Sequence, residues 1–468
     1  MPTRSLSSMT RRQFGLSLGA SPVVLSSTAP MASLTGPWSD PAIVKKVYVA
    51  KPVPTWPRPD LDVKQERAAI EKRLAEVERK HAGAVKFVGG ELLIAGNDVS
   101  GWVRDVGDVD GILIIELTSG TSPVLQAIKT VDKPTLLFAR PYSGWAYSDV
   151  AAWIQEGKKA DLIVTDEYDD LDLYLRIFRS IHHMRKSKVL VIAPASRDQV
   201  TARAFTAQFG TEVRFVSYQE LKAAYEATDV TQARQQAEQF TKNALRVVEP
   251  SPQDIVDSMR LYLGVKDLMA REKANAVTID CLGGFRRGDL PAYPCVAWSR
   301  LNDQGLYGVC EADLLSTMTQ LMLTPFTGKP GFVSDPVFHT SRNEIIHAHC
   351  VAATTMMGLG GPSLPYIIRS HMEDNKGVSV QVLLPVGDTV TVGKFADPRK
   401  FLVSTGVVIG NVDDRNGCRT KIRTKVSSAR EMVSRYSGGL HRVVFYGDYV
   451  ESIETMGRLM GFQVIRES

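Results

Sequence analysis

Cysteine is scarce in this chain: there are five in 468 residues. Cys281, Cys295, Cys310, Cys350 and Cys418 have no close pairing at zinc-ligand spacing, and an odd number cannot all pair. They read as small buried apolar residues rather than a disulfide framework. No GxGxxG fingerprint is present, so no dinucleotide is assigned. Low-complexity tracts and short internal repeats are also absent. The formal net charge is only +5, and setting aside the three arginines of residues 1–34 leaves about +2, too little for a nucleic-acid or other polyanionic partner.

Acidic residues are missing before Asp40, whereas Arg4, Arg11 and Arg12 fall in that stretch. Thr10-Arg11-Arg12-Gln13-Phe14 leads into the modestly apolar Gly15–Leu25, the layout of a twin-arginine export signal over residues 1–34. A membrane-spanning helix needs ~20 predominantly apolar residues, and this run is shorter and broken by Pro22. The expectation is a periplasmic or otherwise extracytoplasmic protein with no membrane segment in its mature form. The roughly 430 residues that remain suffice for several domains with sizeable cores.

From Ala42 the pattern is alternating α/β. Ile43–Ala50, Gly111–Leu117, Thr135–Ala139, Leu162–Thr165 and Lys188–Ala193 read as buried strands. Val63–Lys80 reads as an amphipathic helix with Ile70, Leu74 and Val77 on one face. A first open-sheet α/β domain is expected over 41–193, Rossmann-like or flavodoxin-like, and a second over 194–345. Val378–Leu384, Thr389–Val392, Leu402–Ile409 and Arg419–Val426 alternate or are β-rich, which predicts a β-rich domain over 346–468. The hydroxyl-rich Thr118–Ser122 serves either as a helix cap or as a ligand contact. His182 and His183 read as solvated residues of a polar-faced helix.

The stretch from Gly308 to Asp335 carries the chemistry. Tyr307–Cys310 predicts a strand, Ala312–Leu323 a helix and Gly331–Ser334 a second strand. A right-handed parallel crossover would bring Glu311 and Asp335 out at one edge of one sheet. Neighbouring parallel strands ~4.8 Å apart would let the two carboxylates share a divalent cation. Otherwise Glu311 is a helix-terminal carboxylate and Asp335 a turn residue before Pro336. In an extended Asn343–Cys350, His347 and His349 share a face, suited to ligating a metal or to a hydrogen-bonded structural pair. His441 follows Gly438-Gly439 and precedes an apolar strand, where it can face a cleft.

With these elements in order, the chain resembles the L-fucose isomerase and L-arabinose isomerase superfamily. The residues that carry the resemblance are Trp298-Ser299-Arg300-Leu301-Asn302-Asp303, Cys310-Glu311-Ala312-Asp313, Phe332-Val333-Ser334-Asp335, and Gly439-Leu440-His441 with Tyr446-Gly447-Asp448. The resemblance implies two Rossmann-like domains followed by a β-rich C-terminal domain of the fucose/arabinose isomerase type. It implies Mn2+ or another divalent cation held by Glu311, Asp335 and His441, with His349 as a fourth ligand in the arabinose branch. Glu311 and Asp335 would be the acid/base pair, and Trp298 and Arg300 would contact a small-molecule sugar. The implied activity is aldose–ketose isomerisation through an enediol, in a homo-oligomer such as a trimer or hexamer. Two other functions fit the same residues: an exported sugar-binding or sensing protein without turnover, and a metal-assisted epimerase or lyase.

Overall fold

The computed structural model describes residues 36–194 and 198–467. The arginine motif and the 1–34 segment lie outside the described residues. Among the described residues no helix is long and apolar enough to cross a membrane. The chain divides into two compact units, one made of Trp38–Arg185 with Glu451–Val464, the other built on Lys186–Val450.

The first unit holds an open, all-parallel sheet of β1 (Ala42–Ala50), β2 (Val85–Ile94), β3 (Gly111–Glu116), β4 (Thr135–Ala139) and β5 (Ala160–Val164), in the order β2-β1-β3-β4-β5. Every residue of β3 is buried, the signature of a strand covered on both faces. The helix Val63–Lys80 buries Ile70, Leu74 and Val77, and Asp62 caps it by accepting from the Lys64 and Gln65 amides. The hydroxyls of the loop after β3 hold neighbouring segments. Thr118 accepts from the Lys51 amide and Ser119 donates to the Trp56 carbonyl, each at 2.8 Å. The closing helix Val450–Met460 groups with this unit from Glu451 onward.

His182 and His183 depart from expectation. Both are buried: His182 Nδ1 lies 2.8 Å from the Asp110 carboxylate, and His183 Nδ1 donates to the Trp38 carbonyl at 3.2 Å. Asp110 is buried where β3 begins, so it needs cationic or N–H partners, and the helix Leu171–Lys186 turns His182 and Arg185 inward to supply them.

In the second unit, β6 (Lys188–Ile192) and β7 (Glu212–Val216) begin a second parallel sheet, and β8 (Arg246–Val247) belongs to a small separate one. The helix Pro252–Glu272 starts on a Ser251–Asp254 capping box and returns the chain through β9 (Ala276–Ile279) to β10 (Tyr307–Cys310). The parallel order is β10-β9-β6-β7.

The strand after β10 does not rejoin this sheet. β11 (Phe332–His339) pairs antiparallel with β12 (Glu344–His349), so the expected parallel crossover joining Glu311 and Asp335 on one sheet edge is not formed. The tight turn Thr340–Asn343 between β11 and β12 permits only antiparallel pairing. β11 also continues past Pro336, because its other neighbour pairs only with Phe332–Ser334 and leaves the proline on an edge-like stretch. The 345/346 boundary falls inside β12.

β13 (Tyr366–Arg369) and β14 (Ser379–Val382) complete the small sheet with β8. β15 (Thr389–Asp397), β16 (Lys400–Asn411), β17 (Thr420–Lys425) and β18 (Arg442–Tyr446) then close a six-stranded antiparallel barrel with β11 and β12. Its order is β15-β18-β11-β12-β17-β16, and β15 pairs back onto β16. The architecture is therefore α/β, with two parallel open sheets followed by a β-rich barrel.

Candidate metal centre

Four side chains converge from four places in the second unit. Glu311 leaves the carboxyl end of β10, Asp335 lies within β11, His349 ends β12, and His441 immediately precedes β18. Glu311 and Ala312 both take left-handed backbone conformations, with φ of 66° and 54°. Each such non-glycine residue costs on the order of 1–3 kcal/mol, and the kink ends the strand at Glu311. Gly438 and Gly439, also left-handed at 73° and 82°, form the turn before His441. A side chain at Gly438 would be strained and would crowd Ala396 and Leu402.

Ligand atoms of Glu311, His349 and His441 all lie within 4.8 Å of one another. His441 Nε2 is 3.3 Å from Asp335 Oδ1 and 3.6 Å from Glu311 Oε2, and His349 Nε2 is 3.9 Å from Glu311 Oε1. Two ligands ~2.1 Å from one cation at roughly right angles stand ~3 Å apart, so these separations suit a shared divalent ion after small side-chain shifts. Asp335 Oδ1, His349 Nε2 and His441 Nε2 are buried without a hydrogen-bond partner. Orphaned polar atoms are costly in a protein interior, and three meeting in one place fit a bound cation and a polar ligand.

Behind this group stands a charged support. Asp313 Oδ2 accepts from His441 Nδ1 at 2.8 Å, from the Lys394 ammonium at 2.6 Å and from the Ser316 hydroxyl at 2.7 Å. Its other oxygen caps the helix Leu314–Thr327 through the Ser316 amide. Burial opposes ionisation of Asp313, yet the His441 hydrogen bond and the Lys394 charge outweigh it and hold the carboxyl well below the usual range. Burial likewise works against a charged His441, but its bond to Asp313 and the charges of Asp313, Asp335 and Glu311 raise it above the ordinary histidine value. Burial pushes Asp335 up. His349 is pushed down to about 4 by burial and then by the neighbouring His441.

The expected His347–His349 pair divides. His347 is tied at both ring nitrogens, to the Ser334 hydroxyl at 3.1 Å and the Thr424 hydroxyl at 3.2 Å, and is structural. His349 faces the group. Trp298 and Arg300 do not line the cavity there. Trp298 is wholly buried against Gly308, whose missing side chain makes room for it. Arg300 stacks on Tyr262 at 4.9 Å and donates to Gln236. An apolar helix face and an amphipathic cation find packing partners more readily than a cleft.

Glu311, Asp335 and His349 line a cavity of about 160 Å³. All five cysteines of the chain line it too, as free thiols, four buried and Cys418 half-buried. Their sequence spacing carried no sign of this convergence, and nothing in the local pattern marked Asp313 or Lys394 as support. A larger cavity of about 300 Å³ in the same unit, lined by residues such as Leu364, Leu383 and Pro385, contains none of the four converging side chains.

Comparison with known proteins gives a distant likeness. No protein-family model matches the chain. Over 205 residues, 42% of this chain and 45% of the relative, it is 22% identical to sulfoquinovose isomerases of Priestia aryabhattai and Priestia megaterium. It is 21% identical over 207 residues to the sulfoquinovose isomerase of Alkalicoccus urumqiensis. The chain spans about half the length of the curated relatives it matches. Its distant relatives are thus sugar isomerases, and it holds a group of side chains able to bind a divalent metal.

Proposed function

We propose that this protein is a metal-dependent aldose–ketose isomerase-like enzyme acting on a free or modified sugar. The observation that carries the reading is the meeting of the orphaned Asp335 and His441 atoms with Glu311, His441 Nε2 standing 3.3 Å from Asp335 and 3.6 Å from Glu311, two carboxylates that line one cavity. In this reading Glu311, Asp335 and His441 hold Mn2+ or another divalent cation. A bound divalent cation supplies Lewis acidity, polarising a sugar carbonyl and acidifying the adjacent C–H.

The chain's own residues do the rest. Asp313 keeps the His441 proton on Nδ1, which leaves the Nε2 lone pair facing Asp335 and Glu311. Lys394 balances the charge of Asp313 and spares the site a further uncompensated anion. Of Glu311 and Asp335, one would remove the C2 proton beside the carbonyl, giving an enediol(ate) in which the hydroxyl proton passes from O2 to O1, and the other would return a proton to C1. Burial, by raising Asp335, favours a carboxyl able to hold a proton between the two transfers. The distant isomerase relatives support the same reaction class. Export through the twin-arginine route and a homo-oligomeric state belong to the same proposal.

The test is calorimetric titration with manganese of wild type, Glu311→Gln, Asp335→Asn and His441→Ala, with ketose formation scored on a panel of free and modified aldoses. Glu311→Gln keeps a ligand oxygen but loses the basic site, so weaker metal binding without turnover is expected. His441→Ala is expected to lose more than ~10-fold in manganese affinity. Equal affinity in all four proteins overturns the site. Metal binding with deuterium exchange beside the carbonyl but no ketose would instead indicate an epimerase or lyase, and sugar binding without metal or turnover a binding protein.

A further inference from the structure

We infer that His349 is not a ligand of the cation but presents an Nε2–H to an oxygen of the sugar; this rests on the isomerase reading above. The inference comes from the proton inventory of the two imidazoles of this group, His349 and His441.

The backbone N–H of Cys350 donates to His349 Nδ1 at 2.9 Å in a buried setting. An amide nitrogen has a proton to give and no lone pair to offer. His349 Nδ1 must therefore be the lone-pair nitrogen, which places the ring proton on Nε2. A doubly protonated ring would break this bond and would still carry a proton on Nε2. In neither form does Nε2 have a lone pair for a metal. Rotating the ring by half a turn would set a C–H against the Cys350 amide and orphan a buried donor.

His441 is the reverse case. Its Nδ1 faces a carboxylate, which only accepts, so the proton sits on Nδ1 and Nε2 is the ligand nitrogen. Two histidines whose ring centroids are 5.3 Å apart thus hold opposite tautomers, one arranged to bind a cation and one to donate.

The His349 donor has an acceptor to find. Nε2 is buried with no hydrogen-bond partner, and Glu311 Oε1, 3.9 Å away, is beyond hydrogen-bond reach. A sugar hydroxyl both gives and receives, so it can take the His349 proton while giving its own to a carboxylate such as Glu311 or Asp335. His347, two residues earlier, shows the alternative in which both ring nitrogens are already engaged.

The experiment uses full-length protein labelled with 15N in its histidine rings. Long-range 1H–15N correlation of the metal-free protein, with the His349 signals identified by their loss in His349→Ala, is expected to show a protonated Nε2 and an unprotonated Nδ1. Manganese calorimetry is expected to give His349→Ala an affinity within about 2-fold of wild type, against a loss above ~10-fold for His441→Ala. With Mg2+ in place of paramagnetic Mn2+, titration with D-glucitol, D-mannitol and L-fucitol is expected to move the His349 Nε2–H resonance downfield. His349→Gln, which keeps an N–H donor, should retain more polyol affinity than His349→Ala. A protonated Nδ1, or manganese loss in His349→Ala equal to that in His441→Ala, overturns the assignment. A resonance unmoved by all three polyols overturns the donor role. Failure of wild type to bind manganese would overturn the isomerase reading instead, and the tautomer measurement in metal-free protein stands apart from that outcome.

Discussion

The carboxylate of Asp313 and the imidazole of His441 meet at 2.8 Å, Oδ2 to Nδ1, and this contact turns the other nitrogen of His441 toward Asp335 and Glu311. Asp313 starts the helix after β10, whereas His441 leads into the barrel strand β18. This hydrogen bond, with that from Lys394 of β15, therefore connects the end of the parallel sheet to the barrel.

Asp313→Asn is expected to damage both the metal site and the fold. The substitution removes the anion that orients His441, and manganese affinity should fall by about 10- to 100-fold. It also leaves Lys394, 2% exposed, without its anion, which is expected to cost about 3 kcal/mol. Manganese calorimetry and urea unfolding of the metal-free protein measure the two effects. Wild-type values in both would refute the role assigned to Asp313.

Metal binding and metal-free stability should respond to pH with opposite signs. His441 and Asp335 both have raised values in the folded, metal-free protein. Against its burial, Asp313, Asp335 and Glu311 raise His441, whereas burial, Cys350 and Glu373 raise Asp335 against the charges of His441 and Lys394. A raised His441 contributes stability that is fully present below its unfolded value, ~6.5, and is lost as pH rises through the folded value. Manganese must displace that proton, so its affinity should fall as pH drops through the same range. Urea midpoints against pH, with and without excess manganese, would show the two curves diverging toward high pH. Parallel curves would contradict a shared proton and cation site at His441.

The thiol-lined cavity makes a separate prediction. The interaction with Cys350, together with burial, pushes the Cys418 thiol up, and Cys281, Cys295, Cys310 and Cys350 are buried. Cys350 is instead held down by its hydrogen bonds from Cys295 and Cys418, so access to the buried sulfurs limits the reaction: a disulfide reagent at neutral pH should react slowly with native protein and with five thiols per chain after denaturation under reducing-agent-free conditions. Rapid stoichiometric labelling of native Cys418 would show that the cavity opens more widely than its burial implies.

Export is checked at the amino terminus. Replacing Arg11 and Arg12 by lysine is expected to hold the protein in the cytoplasm with its metal affinity intact, as cell fractionation followed by calorimetry would show. Unchanged export of the double variant would remove the twin-arginine assignment.

Much of the fold was legible in local pattern. The uninterrupted apolar run of β3, the helical stripe of Ile70, Leu74 and Val77, and the Ser251–Asp254 cap each appear where residue periodicity and capping chemistry place them. Glu311, Asp335, His349 and His441 were likewise marked by residue type and motif. Element type follows from neighbours a few residues apart, and those are written in the sequence directly.

Strand partners and proton positions are decided at longer range. Phe332–Ser334 has the apolar character of a strand in either sheet, and only pairing with β12 and β18 puts Asp335 in the barrel. His347 and His349 share a period-2 pattern, yet Ser334 and Thr424 occupy one ring while the Cys350 amide sets the tautomer of the other. Cysteines separated by up to 137 positions, from Cys281 to Cys418, line one cavity. Periodicity along a chain specifies which face a side chain takes, but the chemistry of what that face meets exists only once distant segments have packed together.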